Sequence, residues 1–489
     1  MSDHRQVLAD IVKANDIRGL VGVQLDARVT RALGEAFARA VGGQARQVVV
    51  GHDMRDSSPD LVRAFTAGVT ATGLDVVLIG LCSTDGLYYA SGSLDLPGAM
   101  FTASHNPAEW NGIKLCRAGA RPVGLDTGLA GIRDAALELL EDPAWPRPAE
   151  GRVGSRVERD VLAGYAAHLR SLVDLAGLRR LRIVVDAGNG MAGLTAPAVL
   201  GDSAGLPALN LDVVPLYFEL DGSFPNHEAN PLDPRNLRDL QAAVPAHGAD
   251  LGLAFDGDAD RCFVVDESGS PVSPSAITAI IASREIAKEL AAGRPARVIH
   301  NLITSRVVPE AIRQAGGIPV RTRVGHAFIK AEMAEADAVF GGEHSAHYYF
   351  RDFWFADTGM LAALHVLAAL AGQPHPLSRL VEQYERYPAS GEINSRVPDA
   401  AEATARVEAA FAGRPGVALD RLDGLTVSFA GTQQEPMWWF NLRPSNTEPL
   451  LRLNAEAGDA ATMARIRDEV LAIVRAGDRG EAPALVLPH

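Results

Sequence analysis

Cysteine is scarce in this chain, and its three residues, Cys82, Cys116 and Cys262, are an odd number that cannot form a closed disulfide set. A fold without such staples belongs in a reducing compartment. No apolar run reaches the roughly 18 consecutive residues a membrane helix needs, because charge or glycine breaks each alanine-rich stretch. The opening MSDHRQVLADIVKAND lacks an apolar segment of signal-peptide length. A cytoplasmic protein with no membrane partner is therefore expected. Positive charge is in deficit, with Lys+Arg 46 against Asp+Glu 60 and a net charge of −14, which repels polyanions and argues against a nucleic-acid partner. Any phosphate bound must meet locally concentrated cations. Lysine is rarer still: Lys13, Lys114, Lys288 and Lys330 are its only occurrences among the 46 basic residues. A lysine kept in so arginine-biased a chain draws attention, since an ammonium pKa can move where a guanidinium stays protonated.

What is present is repetition. At 489 residues the chain exceeds one core, and roughly 100–200 residues per domain suggests three or four. Three times a short β-branched strand runs into a polar loop, a helix and a second strand. RQVVVGHDMRDSS leads to a helix near Pro59 to Thr72 and to LDVVLIG; LRIVVDAGNGMAG to a helix ending before Gly201 and to LDVVPLY; ARVIHNLITS to a helix over Arg306 to Ala315 and to GIPVRTR. Short apolar strands alternating with helices mark βαβ units on a buried sheet. Three related α/β domains is the reading, with one larger doubly wound sheet as the alternative. Linkers collect Pro, Gly and Ser at 141–152, 266–275 and 371–379. The last stretch offers strands around Leu425–Ala430, Met437–Leu442 and Leu450–Ala455 and a helix over Ala461–Val474, a smaller α+β domain. The expected domains are 1–150, 151–268, 269–375 and 376–489.

Four loops carry chemistry. In LGLAFDGDADRCFVVD, Asp256, Asp258 and Asp260 alternate with the small Gly257 and Ala259, so three carboxylates can converge on one hard cation. A calcium EF-hand also begins D-x-D-x-D and would end at Glu267, but it needs glycine at its sixth position, where this chain has Arg261, and helical flanks where this chain reads as strands. A Mg²⁺ site fits better. In AMFTASHNPAEWNGIKL, Pro107 stops ordinary strand continuation, so Ser104 sits on a fixed loop tip beside His105 and Asn106. A Ser-His hydrolase is disfavoured, because adjacent residues rarely place a base on the neighbouring hydroxyl and no G-x-S-x-G elbow exists here. Lys114, one of the rare lysines, follows ten residues on. In FGGEHSAHYYFRDF, His344 and His347 lack the H-E-x-x-H order of a zinc protease, whereas Glu343 and Ser345 form an acceptor and donor pair suited to sugar hydroxyls, or plain caps. In FNLRPSNTEPLLRL, Arg443, Ser445, Asn446 and Thr447 make either a phosphate cradle or an ordinary Ser-Asn turn.

Taken in order, these four loops resemble the α-D-phosphohexomutase superfamily over essentially the whole chain, and its bacterial phosphomannomutase/phosphoglucomutase branch in particular. GEHSAHYYFRDF is similar to that branch's sugar-selecting loop, where phosphoglucosamine mutases usually carry Gln at the place of His344. The resemblance implies a heart-shaped, four-domain α/β architecture around a deep cleft, with three similar α/β domains plus a smaller C-terminal α+β domain. It implies reversible transfer of phosphate between C1 and C6 of a hexose phosphate through a phosphoserine and a hexose 1,6-bisphosphate intermediate, which also acts as activator. Ser104 would carry the phosphate and, with Asp256, Asp258 and Asp260, hold Mg²⁺. Arg261 would face the reacting phosphate, Arg18 of N-D-I-R-G would be a second cation, His105 would sit beside the nucleophile, and Lys114 would be the acid/base. Gly325 and His326 of RVGHAFIK would touch the sugar or pass a proton. Glu343 and Ser345 would bind sugar hydroxyls, and Arg443, Ser445, Asn446 and Thr447 the phosphate that is not reacting. A monomer or homodimer with a small phosphosugar partner is expected.

Two departures stand out. Ile303 in HNLITSR occupies a place where some relatives carry a basic residue, and Ala346 replaces a glycine of the sugar loop; Arg55 of GHDMR also resembles a family position and reads as structural. The rival enzymes are a phosphoglucosamine mutase and a phosphoserine-dependent bisphosphate synthase or phosphatase. The non-enzymatic rival is a calcium- or phosphosugar-binding protein.

Overall fold

In the computed structural model, which describes residues 4–147, 151–444 and 450–476 together with all side chains in those ranges except those of His326 and Ala327, each β-rich repeat of the sequence becomes a parallel strand pair. Gln47–His52 pairs with Asp75–Leu81, Leu181–Asp186 with Leu211–Leu216, and Arg297–Asn301 with Ile318–Thr322, all in parallel. The helices expected between them are Ser58–Ala71, Ala192–Val199 and Val307–Gln314. Apolar runs such as VVV at 48–50 lie within 1 % of full burial, as strands covered on both faces should.

Two compact units emerge, Met1–Val272 with Ala346–Ser378, and Ser273–Ser345 with Arg379–His489. The first unit contains two mixed sheets. One runs in the order Ile17–Leu20, Trp110–Arg117, Gly98–Phe101, Gln47–His52, Asp75–Leu81, Arg156–Glu158, with Arg121–Pro122 on the flank of Trp110–Arg117. The other runs Pro271–Val272, Cys262–Asp266, Leu251–Phe255, Leu181–Asp186, Leu211–Leu216. In both, parallel βαβ strands meet an antiparallel hairpin, and the two hairpin loops are the two chemically richest loops of the sequence. Gly98–Phe101 returns antiparallel as Trp110–Arg117, and Leu251–Phe255 returns as Cys262–Asp266. The core under the first sheet includes Phe37, Phe65 and Phe101, with Phe65 edge to face on Phe101 and tilted against Phe37.

In the second unit, Arg297–Asn301 lies between Ile318–Thr322 and Phe340–Gly342, all parallel. The C-terminal sheet is wholly antiparallel, in the order Ala389–Arg396, Leu450–Ala457, Trp438–Pro444, Leu425–Phe429, Val417–Asp420. Helices Ala400–Phe411 and Ala460–Arg475 bury Phe411, Ile466 and Val470 against one of its faces. The opposite face is polar: Trp439, Asn441, Asn454 and Glu456 alternate with the core residues along neighbouring strands. All three cysteines are buried and free, and no helix among the described residues is long and apolar enough to cross a membrane.

Candidate active site

Strand pairing explains why residues far apart in sequence meet in the first unit. Register sets Met100 opposite Lys114, and Arg18 opposite Gly112 on the other flank of the same strand. Arg18 and Lys114 are thereby delivered to the loop that follows Phe101. That loop bends sharply at Ser104, whose φ of 51° is left-handed. For a residue with a Cβ this costs about 1–2 kcal/mol, so the surroundings must hold it there. Ser104 N donates to Thr102 Oγ1 at 2.9 Å.

The metal-type loop approaches from the second hairpin. Ala259 turns with a φ of 59°, its N–H donating to Asp256 O at 3.0 Å, which lets the three carboxylates face one point. Oxygens of Asp256, Asp258 and Asp260 all lie within 4.8 Å of one another. The flanking strands rule out the EF-hand, and Glu267 instead accepts from Ser378 N at 3.1 Å. The small residue at 257 is required by contact: a Cβ there would stand 2.4 Å from Ser104 O. The two loops therefore touch through their backbones. Ser104 Oγ donates to Asp256 Oδ2 at 2.7 Å.

Cations complete the cluster. Arg261 donates from Nε and Nη2 to Asp256 Oδ2 at 3.0 and 2.8 Å, and its Nη2 lies 2.6 Å from His105 Nδ1 and 3.4 Å from Ser104 Oγ. Lys114 Nζ is 2.6 Å from both Asp258 Oδ2 and Asp260 Oδ2. Arg18 is held by Asp16 at 2.8 Å and reaches Asn106 Oδ1 at 2.5 Å and Ala103 O at 3.3 Å. Thr84, the first residue of helix Thr84–Leu94, donates its hydroxyl to Asp258 Oδ2 at 2.6 Å and its N–H to the Asp258 main-chain carbonyl at 3.0 Å, which sets that carboxylate at a helix N-terminus.

Burial and these neighbours push the titrating groups apart. Burial raises Asp256 to about 7, against the pull of Arg261 and with the push of Asp260 and Asp258. Burial also acts to raise Asp258, but the Lys114 ammonium, Thr84 and Arg261 overcome it and hold this carboxyl well below the usual range. Lys114 moves up because Asp258 and Asp260 outweigh the desolvation that would lower it. It is thus firmly protonated. His105 is driven well below the ordinary imidazole value by burial and by Arg261 and Arg18. The imidazole is neutral, and Arg261 donates to its Nδ1.

That same Nδ1 lies 3.3 Å from Ser104 Oγ, so the adjacent histidine does reach the hydroxyl. The left-handed turn at Ser104 swings the two side chains together, a geometry that residue spacing alone does not announce. His347, which lacks a zinc-protease motif in the sequence, also reaches this cluster. Its Nδ1 is 2.9 Å from Asp357 Oδ2 and 4.0 Å from Asp260 Oδ1, at the edge of the carboxylate trio. Burial acts to lower its pKa, but Asp260 and Asp357 raise it overall. The signal was available in the sequence as the sixth residue of GEHSAH and in Asp357, but only folding puts them beside Asp260.

A divalent cation suits this donor set. Asp258 Oδ1 and Asp260 Oδ1 are buried without hydrogen-bond partners, which is costly unless an ion or water completes them.

Of the loop FGGEHSAHYYFRDF, Glu343, His344 and Ser345 fall in the second unit and Ala346 onward in the first. Glu343 is 4 % exposed, accepts from Ser345 Oγ at 2.7 Å, and leaves Oε1 without a partner. His344 points elsewhere, its Nδ1 3.2 Å from Ser275 Oγ, and lines a cavity of about 190 Å³ with Ile303, Ser305, Trp439, Asn454 and Glu456. Gly325, with a φ of 129°, precedes helix His326–Ala336; the side chain of His326 lies outside the described set. Arg443 donates to Glu392 Oε2 at 2.9 Å, while Ser445, Asn446 and Thr447 lie outside the described residues. Ala346 has a φ of 64°, a conformation glycine adopts more cheaply, so its place in the loop is a strained one.

Comparison with known proteins agrees along the whole chain. Models of the phosphoglucomutase/phosphomannomutase family match its alpha/beta/alpha domain I at 9–139, domain II at 163–269, domain III at 273–387 and C-terminal domain at 392–473. The phosphohexose mutases of Xanthomonas campestris pv. campestris are 41 % identical over 466 residues, 95 % of this chain and 98 % of theirs. A phosphomannomutase of Escherichia coli is 39 % identical over 454 residues, 92 % and 96 % of the respective chains. A crystal structure of a phosphoglucomutase/phosphomannomutase family protein from Burkholderia thailandensis superposes with a TM-score of 0.83 at 30 % identity, covering 99 % of each chain. The expected four-domain α/β architecture is therefore that of its relatives, and the chain belongs to the phosphoglucomutase/phosphomannomutase family of the α-D-phosphohexomutases.

Proposed function

We propose that this enzyme is a phosphomannomutase, active also on glucose phosphates, that passes a phosphoryl group through Ser104. The observation that carries the reading is the 2.7 Å bond between Ser104 Oγ and Asp256 in a pocket that also holds Arg261, Lys114 and the two other aspartates. Phosphoryl transfer needs little covalent chemistry from a protein; it needs in-line placement and cations where negative charge spreads over the equatorial oxygens.

The charge balance supports this reading. Asp256, Asp258 and Asp260 against Arg261 and Lys114 leave about one net negative charge, which a divalent cation and a phosphoserine of about −2 would leave unchanged. Asp256, Asp258, Asp260 and a phosphoryl oxygen on Ser104 would hold Mg²⁺. When bound, the ion supplies Lewis-acid neutralisation of the transferring group.

In the proposed reaction, the P–Oγ bond of phospho-Ser104 breaks as a bond forms to the free hydroxyl oxygen of a hexose monophosphate. The hydroxyl proton goes to a protein base, and the product is a hexose 1,6-bisphosphate. After the intermediate reverses its ends, the other phosphate returns to Ser104. Lys114, protonated and anchored on two aspartates, serves as acid and as fixed positive charge. His347 fits the base, since Asp357 at Nδ1 fixes its tautomer and leaves Nε2 for the hydroxyl. Arg261 and Arg18 steady the phosphoryl oxygens, and neutral His105, accepting from Arg261 Nη2, holds that guanidinium beside Ser104. Glu343 and Ser345 take the sugar hydroxyls, with Gly325 and His326 beside the sugar, and Arg443, Ser445, Asn446 and Thr447 take the phosphate that is not reacting. We further propose the domain limits 1–150, 151–268, 269–375 and 376–489, a cytoplasmic setting, and activation by hexose 1,6-bisphosphate.

A coupled assay on mannose 1-phosphate tests the reading. Ser104→Ala, folded, should lose turnover by orders of magnitude; full activity in that variant would sink the phosphoserine.

A further inference from the structure

Arg55 uses its donors in an unusual way. A guanidinium has five N–H groups. In this chain Nη1 donates to Pro107 O at 2.8 Å and Trp110 O at 2.9 Å, while Nη2 donates to Ser104 O at 2.9 Å and Asn106 O at 2.6 Å. Nε faces Asp53 Oδ2 at 3.3 Å. Four main-chain carbonyls of a single loop thus converge on one side chain that is only 1 % exposed. Three of them belong to the stretch between strands Gly98–Phe101 and Trp110–Arg117, where no sheet ladder is available to pair them, and the fourth is on Trp110, the first residue of the second strand.

Arg55 is itself fixed. Asp53 Oδ1 accepts from Arg55 N at 3.0 Å and from Ser58 Oγ at 2.8 Å. The Phe224 ring lies over the guanidinium with its centroid 5.1 Å from Cζ, and a Cβ at Gly222 would stand 2.7 Å from Arg55 Cα. The second sheet's loop 221–224 therefore seals Arg55 against the loop it holds. Ser104 is pinned at both ends, by Thr102 Oγ1 on its N–H and by Arg55 on its carbonyl. This pinning maintains the left-handed φ of 51° that turns Oγ toward Asp256.

We infer that Arg55 is a positioning residue for phosphoryl transfer, a clamp that sets the height of the Ser104 loop over the aspartate loop, and not a general structural residue. The inference rests on the reading of Ser104 as phosphoryl carrier. Lysine cannot replace arginine here, because an ammonium has three donors around one point and lacks the planar fork that reaches four carbonyls.

Arg55→Lys and Phe224→Leu test the clamp, each followed by steady-state kinetics on mannose 1-phosphate, Mg²⁺ titration and hydrogen exchange read by mass spectrometry. For Arg55→Lys, kcat should fall about 100-fold, as expected for a misplacement of about 1 Å, with KM within about threefold and the Mg²⁺ midpoint unchanged. Amide exchange should accelerate about tenfold or more across 103–110 and stay unchanged in Leu251–Phe255. Phe224→Leu should show the same pattern with a loss of about tenfold in kcat, and it carries the test if Arg55→Lys does not fold. Wild-type kcat with an undisturbed loop would overturn the clamp. So would faster exchange spread over the whole first unit with kcat and KM failing together, which is the signature of mere destabilisation. Should Ser104→Ala keep its activity while Arg55→Lys still loosens 103–110, the carrier reading fails and the clamp stands.

Discussion

Replacing Gly257 by alanine adds one methyl group at the seam between the two hairpin loops. Gly257 is not in the left-handed region, so alanine's own backbone preference is not violated and the effect is steric. The new Cβ would lie 2.4 Å from Ser104 O and 3.2 Å from Ser104 C, where ordinary contact begins at 3.4 Å. The shortfall to the carbonyl oxygen is 3.4 − 2.4 = 1.0 Å, and the obstacle is backbone held by Arg55, not a flexible side-chain end. The loops must separate by about that distance. A displacement of about 1 Å at reacting atoms costs on the order of 100-fold in rate, or about 2.7 kcal/mol of barrier. Overpacking should also lower stability by about 1–3 kcal/mol. The assay is kcat on mannose 1-phosphate beside a thermal melt, with Gly131→Ala as control, since nothing lies within 4 Å of a Cβ there. A folded Gly257→Ala enzyme that kept wild-type turnover would refute the claim that loop spacing governs catalysis.

Other perturbations probe separate parts of the site. Asp258→Asn removes a charge from the trio while keeping an acceptor for Lys114 and Thr84, so the Mg²⁺ concentration for half-maximal activity should rise by about 10–100-fold or more; an unchanged titration would clear this loop of metal binding. His347→Gln should reduce kcat by about 10²–10⁴-fold if the imidazole takes the hydroxyl proton, and a loss under tenfold would move that role elsewhere. His227 gives a pH test of stability. Both its ring nitrogens face acceptors, Nδ1 at 2.8 Å from Glu228 O and Nε2 at 3.1 Å from Asp186 Oδ2, which only an imidazolium can satisfy together. Burial acts to lower its pKa, yet the Asp186 bond and charge raise it overall. The stabilisation is therefore complete below the unfolded value and fades as pH rises through the folded one. Urea midpoints should decline from pH 6 to 9 more steeply in wild type than in His227→Gln, and parallel slopes would discount the pair.

The repeats and the metal-type loop were legible in the sequence because they are local. VVVGHD and IVVDAG read as buried parallel strands from composition alone, and D-x-D-x-D with small spacers constrains its own geometry. The helix expected near Pro59 to Thr72 is Ser58–Ala71, and that expected over Arg306 to Ala315 is Val307–Gln314. The site's long-range contacts were not legible. Arg55 looked structural because its four acceptors are main-chain carbonyls, which leave no side-chain pattern to read. His347 matches no zinc motif, and its partners Asp260 and Asp357 are separated from it by chain that only folding brings back. Lys114 stands out in the sequence by its rarity, but the direction of its pKa depends on two aspartates across a loop contact. Residue type could suggest chemistry there; the sign of the shift required the geometry.

A phosphoryl group that resides on Ser104 and leaves it for a sugar hydroxyl can be followed with a label. Enzyme incubated with ³²P-labelled glucose 1,6-bisphosphate and Mg²⁺, digested, and sequenced by tandem mass spectrometry measures this directly. The label should map to Ser104 and chase into hexose phosphate when unlabelled mannose 1-phosphate is added. Label on another residue, or label on Ser104 that does not chase, would contradict the account.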